Sequence, residues 1–462
     1  MNLIGLKRGS PLSIRLKLVA LLLFCGHGAQ TANAQATYLN QAGVKSLIEV
    51  YELAKENATD LAIAKYRWDS AVAERDIARG RNFPQVSLFG DWSENKFRYE
   101  EGPMSLLPSQ EYPGERYGLQ LRTPILNIRS FREYERTSFI ADQVEIELSV
   151  VKSRLLSDVA QAYLSVLLTT EDLDQVKAEQ VALEEQFAEA EALHQRRLLA
   201  ITDLLETQTR LDAVKADVVL VAGKRSIALE RLSQLLGVRG ISPLSVESDI
   251  QLVNNLISIE HAEERAVSQD PAIAAALEAV RAAEKGVSRE KGTWWPEIDF
   301  VYSAQYSDVG FDNLTSPPRS TESVSISMRY PLFEGGAGAA RLKKAWADFY
   351  RAKEELEAAK RSAVGRARSA WVGMEAARER VAAENQALET SDTSLDAARK
   401  AVKAGTAKVT DVLVALAQRT RAKRNLSEAR YQFAMRWLEL GLATGQDPDA
   451  LANSLSFSLA MR

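Results

Sequence analysis

The chain has 462 residues, 26% of them charged, and Lys+Arg 58 nearly balances Asp+Glu 62 for a formal net charge of −4. That balance, without a basic stripe, excludes the electrostatic footprint of a nucleic-acid binder. One cysteine in the whole chain excludes a disulfide-stapled scaffold, so stability has to come from packing and assembly.

Residues 1–34 read as a secretory signal. Lys7, Arg8, Arg15 and Lys17 form a basic region, Leu18 to Cys25 an apolar one, and Ala32-Asn33-Ala34 a cleavage site. Removing them takes four basic and no acidic residues, so the formal charge becomes −4 − 4 = −8. Cys25 leaves with them, and the bulky Phe24 before it argues against a lipidated N-terminal cysteine. No later stretch has the roughly 20 uninterrupted apolar residues of a spanning helix. A soluble protein or a β-barrel remains.

The rest of the chain repeats itself at an offset of about 208 residues. Arg122-Thr123-Pro124-Ile125-Leu126 answers to Arg329-Tyr330-Pro331-Leu332-Phe333, and Ile201-Thr202-Asp203 to Val409-Thr410-Asp411. Phe83-Pro84-Gln85-Val86 answers to Trp295-Pro296-Glu297-Ile298 at a slightly larger offset. Such a period is too long for a solenoid and marks two copies of one plan. They span 35–245 and 246–448, leaving 449–462 as a short C-terminal tail.

Each copy opens on an Ala- and Glu-rich helix, Ser46 to Arg79 and Ala262 to Ser288, broken near Asn57–Asp60 and at Gln269-Asp270-Pro271. Strands follow. Val86, Leu88, Gly90 and Trp92 alternate with polar or smaller neighbours, as do Tyr117, Leu119 and Leu121. In the second copy Ile298, Phe300, Tyr302, Ala304 and Tyr306, then Val324, Ile326, Met328 and Tyr330, alternate more cleanly. One apolar face and one small or polar face is the pattern of outer-membrane barrel strands, and equally of a half-buried soluble sheet. The connections favour the membrane. Residues 96–116, with Pro103, Pro108 and Pro113, and 308–322, with Asn313, Pro317 and Pro318, read as polar external loops.

Long helices complete each copy. No proline occurs between Pro124 and Pro243 or between Pro331 and Pro448, and residues of high helix propensity dominate both intervals. Val176, Leu183 and Ala190 with Leu173 and Phe187, then Leu204, Leu211 and Val218 with Val214, Val221 and Leu235, form a coiled-coil-like seam. A helix from about Ile128 to Arg197 would run roughly 100 Å. It turns near Leu198–Ala200 and returns to close at Gly237, while its counterpart turns near Gly405 and closes at Gly445.

Four strands cannot close a barrel, which needs about eight, and lipid tolerates no open sheet edge. Membrane strands must therefore be pooled, and three chains would supply twelve. The fold expected from the residues is mostly α with a small β part: long coiled-coil-like helical hairpins plus four transmembrane strands per chain.

Over nearly its whole mature length the chain resembles the TolC family of outer-membrane efflux and secretion channels. The resemblance rests on Tyr330-Pro331-Leu332-Phe333-Glu334-Gly335-Gly336 at the second strand-to-helix exit and Ala200-Ile201-Thr202-Asp203 at the first hairpin tip. Gly405-Thr406 and Val409-Thr410-Asp411-Val412-Leu413 carry it at the second tip. It implies a homotrimer with a trimeric 12-stranded β-barrel in the outer membrane continued by an α-helical tunnel in the periplasm, docking a periplasmic adaptor and an inner-membrane RND or ABC transporter. It further implies that Asp411 lines the closed periplasmic entrance, where some relatives carry a second aspartate and this chain has Val414. Asp203 is the matching residue of the first tip, where its spacing to Glu206 is that of a capping box. Pro124 marks the first exit, which has Asn127-Ile128-Arg129 in place of the Gly-Gly element.

No catalytic group, cofactor or metal site is expected: His194 and His261 stand isolated on helices, and no Gly-rich phosphate loop follows a strand. Trp92, Tyr117, Trp294, Trp295 and Tyr330 are candidates for interfacial girdles. The competing reading is a periplasmic adaptor or coiled-coil scaffold without a pore.

Overall fold

The computed structural model describes residues 40–98, 100–106, 108–243, 257–308 and 317–460. The signal segment, including Cys25, and Asn313 of the second external loop lie outside the described residues.

In chain order the elements are β1 (Asn40–Lys45), α1 (Leu47–Asn57), α2 (Thr59–Gly80), β2 (Gln85–Phe97), β3 (Gln110–Leu126), α3 (Ile128–Gln195), α4 (Ile201–Leu236) and β4 (Arg239–Pro243). The second copy follows as α5 (Ile259–Gln269), α6 (Pro271–Lys291), β5 (Glu297–Ser307), β6 (Arg319–Arg329), α7 (Ala337–Lys403) and α8 (Val409–Ala443). A last helix, α9 (Pro448–Ala460), replaces the expected tail. Its Leu451, Ala452 and Leu455 are buried against α1, α3 and α8, and Asp449 meets Lys55 of α1 at 2.9 Å.

The long helices form two hairpins, α3 with α4 and α7 with α8. With 68 residues, α3 is a strut about 100 Å long. The expected seam is buried at Leu173, Val176, Leu183, Ala190, Leu211, Val214 and Val221. Both C-terminal stops use a left-handed glycine, Gly237 at φ 63° and Gly445 at φ 73°. Midway along the struts, Tyr51, Leu156, Val159, Tyr163, Leu236 and Leu438 are the centre of the largest apolar core, which ties both hairpins together.

Four strands make one antiparallel sheet in the order β2-β3-β5-β6. Two expectations need correction here. The strands of both hairpins are longer than read: Lys96 pairs with Glu111 across the first ladder, their side chains meeting at 2.6 Å, and Arg319 pairs with Ser307 across the second, so part of each expected loop is strand. Pro113 is tolerated there because β3 has already lost β5 as a neighbour beyond Arg116. The second correction is a missed pair: β1 and β4 run parallel, Asn40 against Arg239 to Lys45 against Pro243, in segments too short to show periodicity.

Candidate functional site

Register decides which residues share a face of the sheet. Val86, Leu121, Tyr302 and Val324 form one row across the four strands, and Leu88, Leu119 and Ala304 another on the same face. Phe300 opposite Ile326 and Ile298 opposite Met328 extend it. The opposite face carries Ser87, Gln120, Ser303 and Ser323 in one row and Asp91, Arg116, Ser307 and Arg319 in another. Ion pairs cross that polar face, Asp91 to Arg116 at 3.1 Å and Arg122 to Asp299 at 2.5 Å.

The apolar face is uncovered in the single chain, with Leu88 76%, Val324 69%, Ile326 69% and Met328 68% exposed. Trp92, Tyr117, Trp294, Trp295 and Tyr330 are exposed too, and Tyr117 stacks on Tyr306 at 5.0 Å between ring centres. Neither Trp294 nor Trp295 is packed into the core.

Sheet and helices meet at two unlike exits. After Pro124, Asn127 is the N-cap of α3, and its side-chain oxygen accepts the Ser130 N–H at 2.8 Å. After Pro331, Gly335 and Gly336 take φ 61° and 85°, a left-handed bend that admits glycine at little cost. Five residues into α3, Glu133 accepts from both Arg136 and Arg289. Burial opposes its charge, but the two guanidiniums outweigh that and hold the carboxyl down to about 2.

At the tips, the first turn bends through Arg197 at φ 58°, with the His194 ring 2.9 Å from the Leu199 carbonyl. Ala200 is the N-cap of α4, so Asp203 is its third helical residue and not a cap. This corrects the capping-box reading of Asp203 and Glu206. In the second tip Gly405 takes φ 73°, and the Asp411 carboxylate accepts the Lys408 N–H at 2.9 Å. An acid in a first turn also favours the helix dipole. Asp411 and Val414 are exposed on one side of α8, whereas Val412 and Leu413 are buried in a cluster that includes Leu211 and Val214 of the first hairpin.

One polar contact between the hairpins was not read from sequence. Arg424 of α8 binds Asp172 of α3 through two bonds of 2.8 and 2.9 Å. Nearby, the Ser427 hydroxyl donates to Glu171 at 2.7 Å and accepts from Gln175 at 3.1 Å. These partners lie about 250 positions apart, so no local spacing could signal them. His261 bonds Ser258 at the start of α5. Among the described residues no group of three His, Cys, Asp or Glu could hold a metal ion. No described helix is long and apolar enough to cross a membrane.

Known proteins match this arrangement. The family model "Outer membrane efflux protein" covers residues 50–238 and 263–446. The chain is 28% identical to the outer membrane protein TolC of Escherichia coli over 442 residues, 90% of this chain and 86% of that protein. It is 24% identical to the proteases secretion protein PrtF of Dickeya chrysanthemi, over 87% of this chain and 89% of that one. The crystal structure of the outer membrane protein VceC from Vibrio cholerae superposes with a TM-score of 0.73 at 17% identity, covering 87% of this chain and 96% of that chain. The chain belongs to the outer membrane efflux protein family, the exit channels of the outer membrane.

Proposed function

We propose that three copies of this chain close β2 of one against β6 of the next, making a 12-stranded barrel whose polar face lines the pore. The helical hairpins continue it as a periplasmic tunnel. A periplasmic adaptor and an inner-membrane RND or ABC transporter dock at the tips and supply the energy, so the chain itself is a passive duct for efflux or type I secretion. PrtF is by its name a protease secretion protein, which supports a secretory role.

One observation carries the closure. In the first copy β3 continues to Leu126 because β5 pairs with it, Leu126 opposite Ile298. Its counterpart β6 has no such neighbour and stops at Arg329, leaving Leu332 83% and Phe333 86% exposed. A strand edge and large apolar side chains left open in lipid would be prohibitively costly, and a neighbouring β2 supplies the missing partner. A scaffold without a pore has no use for the exposed apolar face of the sheet.

The repeat also specifies the register. Gln120 pairs with Ser303 within the chain. Carried over by the two offsets, 329 − 122 = 207 and 297 − 85 = 212, this becomes Ser327 of one copy opposite Asp91 of the next. Ser327→Cys with Asp91→Cys should therefore cross-link into a covalent trimer, since no native cysteine follows residue 34. A stable monomer in detergent extracts of the membrane fraction, with no cross-linking, overturns the closure.

At the tips, Asp411 and Val414 form the periplasmic constriction, a carboxylate ring above an apolar one, with Asp203 contributing from the first hairpin. Apolar constrictions close by dewetting. The exit residues Pro124, Pro331, Gly335 and Gly336 set the bend from barrel to tunnel.

A further inference from the structure

Where the sheet meets the helices, a cavity of about 350 Å³ opens on the polar face. Four arginines from four segments line it: Arg81 after α2, Arg122 of β3, Arg129 of α3 and Arg289 of α6. Glu133, Glu297 and Asp299 are the lining carboxylates, so the lining keeps a formal excess of +4 − 3 = +1 per copy. The arginines are not equally committed. Arg122 is held by Asp299 at 2.5 Å, and Arg289 by Glu133 at 2.8 Å and Glu290 at 2.5 Å. Arg81 and Arg129 have no ion pair among the described residues, and both are exposed. The lining also includes Ser130, whose hydroxyl oxygen is buried without a hydrogen-bond partner. An unpartnered buried hydroxyl costs about 1–3 kcal/mol, and a ligand oxygen would relieve it.

We propose that this cavity binds a phosphate- or sulfate-type oxyanion, held by Arg81 and Arg129 with the Ser130 hydroxyl as an added donor. Guanidinium groups meet such anions with two parallel bonds. The Arg122–Asp299 and Arg289–Glu133 pairs keep the walls in place without neutralising the two free arginines. Because Gln85, Arg122 and Asp299 are residues of the polar face, the ligand reaches the cavity from the lumen and not from lipid. That placement rests on the closure proposed above; the binding chemistry does not. Three copies then set a ring of three anion sites at the junction of barrel and tunnel, opposite in sign to the Asp411 ring at the tips. Acidic groups on a passing solute are repelled by the Asp411 carboxylates and attracted to these arginines.

Arginine labelling by phenylglyoxal tests this on purified full-length protein, read residue by residue by mass spectrometry. Inorganic phosphate at millimolar concentration should slow labelling of Arg81 and Arg129 at least threefold while leaving the exposed Arg399 unchanged. Equal rates with and without phosphate overturn the site. Protection seen only after reconstitution into anionic lipid, in phosphate-free buffer, also overturns it, because the anion would then be a headgroup. In planar bilayers the pair Arg81→Gln and Arg129→Gln should shift the reversal potential under a salt gradient towards cation preference, and no shift counts against a lumenal site. Labelling needs no pore, so loss of protection sinks the anion site alone, whereas failure to form the cross-linked trimer sinks the closure.

Discussion

Arg424→Ala should loosen the tunnel at a defined point. Arg424 makes a two-bond contact to Asp172, at 2.8 and 2.9 Å, that bridges the second hairpin to the first. It also faces the charges of Asp217 and Glu179, and together these carboxylates hold its pKa above the ordinary value. Removing the guanidinium loses two charge-assisted bonds and takes the cation away from Asp172, with the Asp217 carboxylate left nearby and Glu179 still paired to Arg210. A fully buried pair broken this way costs about 3–5 kcal/mol. Here the arginine side chain is 35% exposed and the aspartate 19%, so solvent screening reduces the figure to about 1–2 kcal/mol per copy. If the hairpins separate when the entrance opens, that weakens closure roughly tenfold per copy, since 1.4 kcal/mol is a factor of ten. Single-channel recording should show a higher open probability for Arg424→Ala. Asp172→Asn should have a smaller effect, and the double variant should add little to Arg424→Ala, as expected of residues in direct contact. The exposed Arg421→Ala, three residues earlier, is the control. An open probability unchanged from wild type, with a melting temperature lowered no more than by Arg421→Ala, refutes the clasp.

Other outcomes follow from single side chains. Asp411→Asn should weaken block of the channel by divalent cations, and block at the wild-type concentration would remove Asp411 from the constriction. Glu133 has a folded pKa of about 2 against 4.5 unperturbed, so its contribution is complete above about 4.5 and disappears as pH falls towards 2. Glu133→Gln should therefore melt lower than wild type at pH 7, by at most about 3 kcal/mol, and converge with it below pH 3; parallel curves down to pH 2 would contradict the assignment. Leu438, fully buried where both hairpins meet, should cost about 3 kcal/mol as Leu438→Ala, measurable by thermal unfolding of the detergent-solubilised protein. Gly336→Ala meets open space, but at φ 85° it should cost about 1 kcal/mol from backbone strain alone, and a melting temperature equal to wild type would show that the bend relaxes without it.

Much of the architecture was legible in the residues because its signals are local. Proline-free runs and an apolar seam placed α3 from Ile128 and its return helix up to Leu236, since helix propensity and the 3.6-residue period need no distant partner. Alternation placed all four long strands. Segments without a periodic signature escaped. The five- and six-residue strands β4 and β1 exist only because each pairs with the other, and α9 is a helix whose apolar side is buried against α1, α3 and α8.

The candidate site divides in the same way. Asp203 could be placed at a tip from sequence, but whether it caps α4 or sits in its first turn depended on where the chain leaves Leu199 and enters the helix. Arg424 and Asp172, or the four arginines of the junction cavity, are adjacent only after the hairpins and the sheet have assembled. Sequence alone determined the long helices, the four long strands and their order, because propensity and periodicity act between near neighbours. Tertiary structure alone decided which charges meet and which face of the sheet is continuous across four strands, because those depend on register and packing between segments hundreds of residues apart.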